Sequence, residues 1–193
     1  MALAALGLTL AACGSGSNAS SSVTVTVTRT RTVTTTRTVT TTPHGSKAAA
    51  ACSGGDLSGS FALVPGSAGA GQVEYALTLT NTSGKTCYVT GTPQAQLLGK
   101  SGSSLPTNVE PAQSGAATAV KVSLAPEAVA TANARFSPDV PGTGDAQTGA
   151  CEPKAYTLRV QANGGGTVDV PVQPPTSVCE RGLLTFQLLH AAS

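Results

Sequence analysis

The side chains of this chain that can do chemistry are five cysteines, two histidines and nine carboxylates. The cysteines are Cys13, Cys52, Cys87, Cys151 and Cys179, and a thiol can bond to another thiol, a metal or an electrophile. No two of them stand in CxxC spacing and no histidine is near one, so a zinc site is not expected. A copper carrier would want methionine and histidine ligands, and the one methionine is Met1. A serine–histidine hydrolase needs an imidazole beside its nucleophile. His44 reads as a linker residue, and His190, three residues before the end, as a solvated histidine at the end of a strand. No GxSxG elbow, P-loop or HExxH motif occurs. Carboxylate catalysis would need two acids to converge in a cleft with separated pKa values. Most of the nine fall at turns or outward strand positions, and Asp139 and Asp145 lie in a Gly/Pro-rich stretch that reads as a solvated loop, with spacing unlike an EF-hand. The expectation is no catalytic residue, no metal and no cofactor.

Cys13 stands apart from the other four. An apolar run from Met1 to Ala12 ends in Leu10-Ala11-Ala12 directly before it, and Gly14-Ser15-Gly16-Ser17 follows. Apolar core, small residues and cysteine have the form of a lipobox, in which the sulfur receives a diacylglyceryl group and the preceding residues are removed. Tethers open into Gly/Ser in this way, whereas core helices rarely do. The leader lacks a basic n-region, since no Lys or Arg precedes Arg29, and the true start is expected upstream of Met1. Acyl chains on one cysteine would hold the protein at a membrane, at about 0.8 kcal/mol per buried CH₂.

With Cys13 assigned to lipid, Cys52, Cys87, Cys151 and Cys179 form an even set in an exported protein, which reads as two disulfides. Four cysteines allow three pairings. The favoured one joins sequence neighbours, Cys52–Cys87 and Cys151–Cys179, each closing a loop of roughly 30 residues worth about 3–4 kcal/mol.

These residues need elements to position them. Residues 23–42 read VTVTVTRTRTVTTTRTVTTT, an alternating but low-complexity run ended by Pro43 and Gly45. Ser/Thr-rich runs with proline resemble glycosylated stalks, so residues 13–48 are read as a lipid-anchored tether, reaching at most about 115–125 Å when extended. From Cys52 onward, short apolar runs alternate with Gly, Pro, Asn and Ser. Strands are expected at residues 61–64, 73–80, 87–89, 95–98, 119–124, 129–136, 156–160, 168–172 and 184–189. Residues 73–80, VEYALTLT, put large apolar side chains at every second position, as a half-buried antiparallel strand does. Many short strands and no long helix point to a β-sandwich. Aromatics are 3% and charged residues 10% of the chain, which leaves no basic patch for nucleic acid. The six aromatics, Phe61, Tyr75, Tyr88, Phe136, Tyr156 and Phe186, all fall on expected strands and are assigned to the core. The longest expected loops are residues 99–115 and 137–150.

The segment Leu79-Thr80-Asn81-Thr82-Ser83-Gly84-Lys85-Thr86-Cys87-Tyr88-Val89-Thr90-Gly91-Thr92-Pro93 resembles the signature of an actinobacterial envelope lipoprotein family, domain of unknown function 4232. Cys52 with Leu57, Leu124-Ala125-Pro126, and the strands beside Cys151 and Cys179 resemble its other landmarks. The resemblance implies a secreted or lipid-anchored immunoglobulin-like sandwich and transfers no catalytic residue.

The reading is thus an all-β chain: an immunoglobulin-like antiparallel β-sandwich with two disulfides behind an extended Thr-rich tether. Residues 1–12 are a lipoprotein signal segment, 13–48 the tether and 49–193 the β-sandwich domain. The expected function is a non-catalytic, lipid-anchored binding or structural module, a monomer at the extracellular face of the cell membrane. Its partners are the membrane, through the Cys13 lipid, and an envelope protein or cell-wall polymer, with no nucleic acid and no cofactor. The alternative is an exported protease inhibitor presenting a disulfide-braced loop, residues 109–115 or 140–150, or else an envelope hydrolase. A taut loop pinned by a disulfide favours the inhibitor; an aspartate or serine cluster around His190 favours the enzyme.

Overall fold

The computed structural model describes residues 48–113 and 120–192. The signal segment 1–12, Cys13, His44 and all of the tether but residue 48 lie outside the described residues. The compact unit Ala48–Ser193 is all-β. Its strands are β1 (Ala50–Ala51), β2 (Leu57–Leu63), β3 (Val73–Asn81), β4 (Cys87–Val89), β5 (Gln94–Leu98) and β6 (Asn108–Pro111) in the first half. The second half adds β7 (Val122–Leu124), β8 (Val129–Phe136), β9 (Ala155–Gln161), β10 (Thr167–Thr176), β11 (Leu183–Phe186) and β12 (His190–Ala191). No described helix is long and apolar enough to cross a membrane.

Two sheets result. The larger runs β5-β9-β10-β2-β3-β8-β11-β6, with β12 also on β8, and the smaller runs β1-β4-β7. Most pairs are antiparallel. Three are parallel: β10 with β2, β11 with β6, and β1 with β4. β10 is the joint of the large sheet, because its first half pairs with β9 while Val172 and Gln173 pair with Phe61 and Ala62 of β2.

The alternation read in residues 73–80 is the inward face of β3. Tyr75, Leu77 and Leu79 are buried, and in register opposite them on β8 stand Ala134, Ala132 and Ala130, each 0% exposed. Large side chains on one strand meet methyl groups on the next, which lets the two strands interdigitate. Ala-rich β8 has a helical composition, but tertiary pairing decides its state. Phe61, Tyr75, Phe136 and Phe186 close the core, with Phe61 centroids 5.2, 6.4 and 6.0 Å from the other three. At Gly59 a side chain is impossible, because a Cβ there would stand 2.0 Å from the Thr78 carbonyl oxygen. The small sheet adds Cys87, Val89, Val122 and Leu124 to the same core.

Several details differ from the expectations. Tyr88 and Tyr156 are on strands but only half-buried, and Lys121 Nζ stands 4.3 Å from the Tyr88 ring centroid. Residues 99–115 are not simply a loop: they contain β6, which the parallel ladder to β11 stabilises. The expected strand at 184–189 ends at Phe186 as β11, and a separate short strand, β12, follows just beyond the expected range; both pair with β8. The interruption is filled by Gln187 N–H donating to Asn133 O and Leu189 N–H to Gly91 O. The expected strand at 119–124 is the shorter β7.

Candidate functional site

Both disulfides form with the pairing of sequence neighbours. Cys52–Cys87 closes a separation of 35 residues with Cα atoms 5.0 Å apart. Cys151–Cys179 closes 28 residues with Cα atoms 5.5 Å apart. The second bridge gathers the chemically richest part of the fold: it ties the end of the loop after β8 to the turn before β11.

That turn, Cys179–Gly182, is left-handed. Glu180 has φ 55° and ψ 41°, Arg181 φ 57° and ψ 39°, and Gly182 φ 77°. A residue with a Cβ costs about 1–2 kcal/mol there, so Glu180 and Arg181 need a compensating partner. Gly182 is obligatory on steric grounds as well, since a Cβ would lie 1.9 Å from Pro106 O.

Asp145 is the partner. It is 8% exposed. Its Oδ2 accepts from the backbone N–H of Gly142 at 2.8 Å and of Glu180 at 2.5 Å, and Oδ1 accepts from Arg181 N–H at 2.8 Å. The loop is fastened at its start too: Ser137 O accepts from Cys179 N–H at 2.9 Å, and Ser137 Oγ accepts from Val140 N–H at 3.0 Å. Ser177 Oγ donates to Glu152 O at 2.7 Å. Reading Asp145 as a solvated loop residue is therefore corrected. The flanking glycines let the chain fold over its carboxylate, and its partners lie 35 and 36 residues away.

Two carboxyl groups are shifted here in opposite directions. Burial pushes Asp145 up, but hydrogen bonds from the N–H groups of Gly142, Arg181 and Glu180, and from Glu152, outweigh it and hold it below the ordinary range. Glu152 is raised by burial, by the charge of Asp145 and by its hydrogen bond to Asp145, with Arg181 pulling the other way. Separated carboxyl pKa values are a mark of acid–base sites. In this case the ionised partner is committed to three backbone donors. The Asp145 carboxylate and the sulfurs of Cys151 and Cys179 lie within 4.8 Å of one another. Disulfide sulfurs carry no thiolate charge, so the bridged form presents no soft metal ligand set there.

The remaining acids with resolved shifts are locally engaged. Asp56 is lowered by the Ser53 hydroxyl and N–H, which donate at 2.6 and 2.9 Å. Asp169 is lowered by Arg159, which meets it with two bonds of 2.7 Å across the β9–β10 ladder.

His190 is exposed on β12, in register with Thr131, which is in register with Thr78 and that with Ser60. The hydroxyls of this row are occupied: Thr131 Oγ1 donates to Leu77 O at 3.0 Å, and Thr78 Oγ1 and Ser60 Oγ are 2.9 Å apart. His190 Nδ1 is 3.2 Å from Leu188 O. Among the described residues no carboxylate hydrogen-bonds to this imidazole.

Asn81 of the signature segment is a buried structural pin. It is 0% exposed. Its amide nitrogen donates to Lys85 O at 2.8 Å and to Leu124 O at 2.9 Å, while Oδ1 accepts from Ser83 N–H and Oγ at 3.0 and 2.8 Å. The bond to Leu124 links β3 of the large sheet to β7 of the small one. With its amide buried and fully engaged, the Asn-Thr-Ser sequence is no glycan acceptor in the folded domain. Near this junction a cavity of about 320 Å³ is floored by Leu57, Leu79, Val89, Val160 and Leu189 and rimmed by Thr92, Gln94, Gln161 and Asn163.

No curated protein and no solved structure matches the chain. Residues 52–188, well over half of it, match a family described as Domain of unknown function (DUF4232), and that span takes in both disulfides, the Asn81 pin and the Asp145 clasp. The protein is a member of the DUF4232 family.

Proposed function

We propose that the protein is an exported, lipid-anchored module of the actinobacterial cell envelope that binds or organises a partner and catalyses nothing. The observation that carries the non-catalytic reading is the commitment of its reactive groups. Four cysteines are in disulfides, the buried Asp145 is held by backbone donors, and the exposed His190 faces a backbone carbonyl. Two disulfides in a small domain also favour an oxidising, extracytoplasmic compartment. The apolar floor and amide-bearing rim of the 320 Å³ cavity suit a small ligand with an apolar body and a polar end.

Anchoring is tested by Cys13→Ala, which should move the protein from the detergent phase to the aqueous phase on phase partitioning. Equal partitioning of variant and wild type would remove the lipid from the account. Catalysis is tested by a panel of peptide, ester, glycan and phosphate substrates, on which no turnover is expected. Turnover abolished by His190→Ala would replace the binding module with an envelope hydrolase.

One observation favours the second reading, a protease inhibitor. Residues 146–150 are exposed and end at Cys151, so a disulfide and the Asp145 clasp brace an outward loop. Inhibition assays against a panel of proteases separate this reading from the first.

A further inference from the structure

We propose that Asp145 is the latch of an acid-released strap: its carboxylate pins the loop of residues 137–150 to the left-handed turn Cys179–Gly182, and protonating it frees the loop while the Cys151–Cys179 disulfide keeps it attached.

The geometry assigns the latch to one charge. Three backbone N–H groups from two segments converge on this carboxylate, and two of them belong to residues in left-handed conformation. A carboxylate can accept all three with charge-assisted strength. A protonated carboxyl loses the charge and turns one oxygen into a donor among donors. Glu180 and Arg181 then have nothing to offset their backbone strain. The opening stays local, because neither the β3–β8 ladder nor the Asn81 pin uses Asp145.

Two side chains set the pH window. Glu152, from the segment entering β9, is raised by burial and by the charge of Asp145, and Arg181 of the turn pulls it the other way. Glu180 meets Asp145 through its N–H, and its side chain packs toward Gly142. Asp139 in the loop and Arg135 on β8 make no hydrogen bond to it. Asp145 is lowered on folding, so its contribution is present above its ordinary value of 3.8 and is lost as pH falls through the lowered one. Glu152 is raised, so its contribution is complete below its ordinary value of 4.5 and is lost as pH rises through the raised one. The strap is therefore tightest in mild acid, released in stronger acid and loosened toward neutrality.

Amide hydrogen exchange on the full chain, read by NMR as protection factors, tests this. Between about pH 4 and about pH 2, on the acid side of the ordinary Asp145 value of 3.8, protection of the Gly142, Glu180 and Arg181 amides should fall severalfold, while the Leu77 and Leu79 amides of β3 hold theirs. Asp145→Asn should lower protection of the three amides at every pH and abolish the acid step. Glu152→Gln should keep the acid step and remove the decline between about pH 5 and about pH 7. Equal protection of the three amides at the two acid points, a loss shared equally by β3, or an acid step surviving in Asp145→Asn would overturn the latch. If Asp145→Asn does not fold, Glu152→Gln decides: the acid step on the three amides, which Asp145 alone carries, should survive in it, and its loss in that variant overturns the proposal.

Discussion

Replacing Cys52 and Cys87 together by alanine is expected to destabilise the domain by about 3–4 kcal/mol. The bridge closes 35 residues, and restraining that loop in the unfolded chain gives the larger part of this figure. The native side adds to it, because both cysteines are buried and belong to the common core. Cys52 N–H donates to Tyr88 O, Gly164 N–H donates to Cys52 O, and β1 pairs with β4 only through Ala50↔Cys87 and Ala51↔Tyr88. A two-residue strand cannot hold a sheet edge alone. Against a total stability of about 5–15 kcal/mol, the loss is a large fraction. It should appear as a lower urea midpoint and a Tm reduced by roughly 10 °C. A change below about 1 kcal/mol would show that the small sheet stays docked without its crosslink. The second bridge closes 28 residues, and its loss should rank just below.

What could be read from the sequence was whatever depends on neighbours. β4 and β8 have the bounds the apolar pattern gives, and β3 extends it by one residue, because alternation over eight residues is a local signal. The cysteine pairing was legible because short loops close most readily. β6 was not, since Asn108-Val109-Glu110-Pro111 has no alternating face. Its ladder comes from β11, more than 70 residues later in the chain, and Pro111 removes a donor at the sheet's edge.

The site was less legible than the fold. Asp145 sits among glycines in a stretch that looks like any polar loop, and its burial depends on a left-handed turn that no propensity predicts at Glu180-Arg181. The signal present in the sequence was Gly182, the one residue type that fits where a Cβ would lie 1.9 Å from the Pro106 carbonyl oxygen. His190 and the disulfide cysteines stand where reading put them, but their partners are visible only in three dimensions. The half-buried Tyr88 and Tyr156 show the same limit, because a strand position does not say which sheet face is covered.

The Asn81 motif joins fold and family, and Asn81→Ala should cost about 3–5 kcal/mol. Alanine removes two donors from the Lys85 and Leu124 carbonyls and the acceptor used twice by Ser83. The Leu124 carbonyl bond is buried, and leaving such a group unpaired costs its full desolvation. The backbone of Asn81 is engaged as well, donating to Ala128 O and accepting from Glu127 N–H, so the site has little room to relax. Asn81→Asp sharpens the test. At neutral pH it places a carboxylate oxygen against two carbonyl oxygens, which disfavours ionisation and raises its folded pKa above the unfolded value. Stability from a raised group is present below the unfolded pKa and lost as pH rises through the folded one. Asn81→Asp should therefore regain part of its stability on acidification from about pH 7 to about pH 4, because a protonated carboxyl can donate one of the two lost bonds. Asn81→Ala should show no such recovery. Urea denaturation at the two pH values measures both. If Asn81→Asp matches wild type at neutral pH, the amide is not what holds β3 to β7, and the signature would need a role outside the fold.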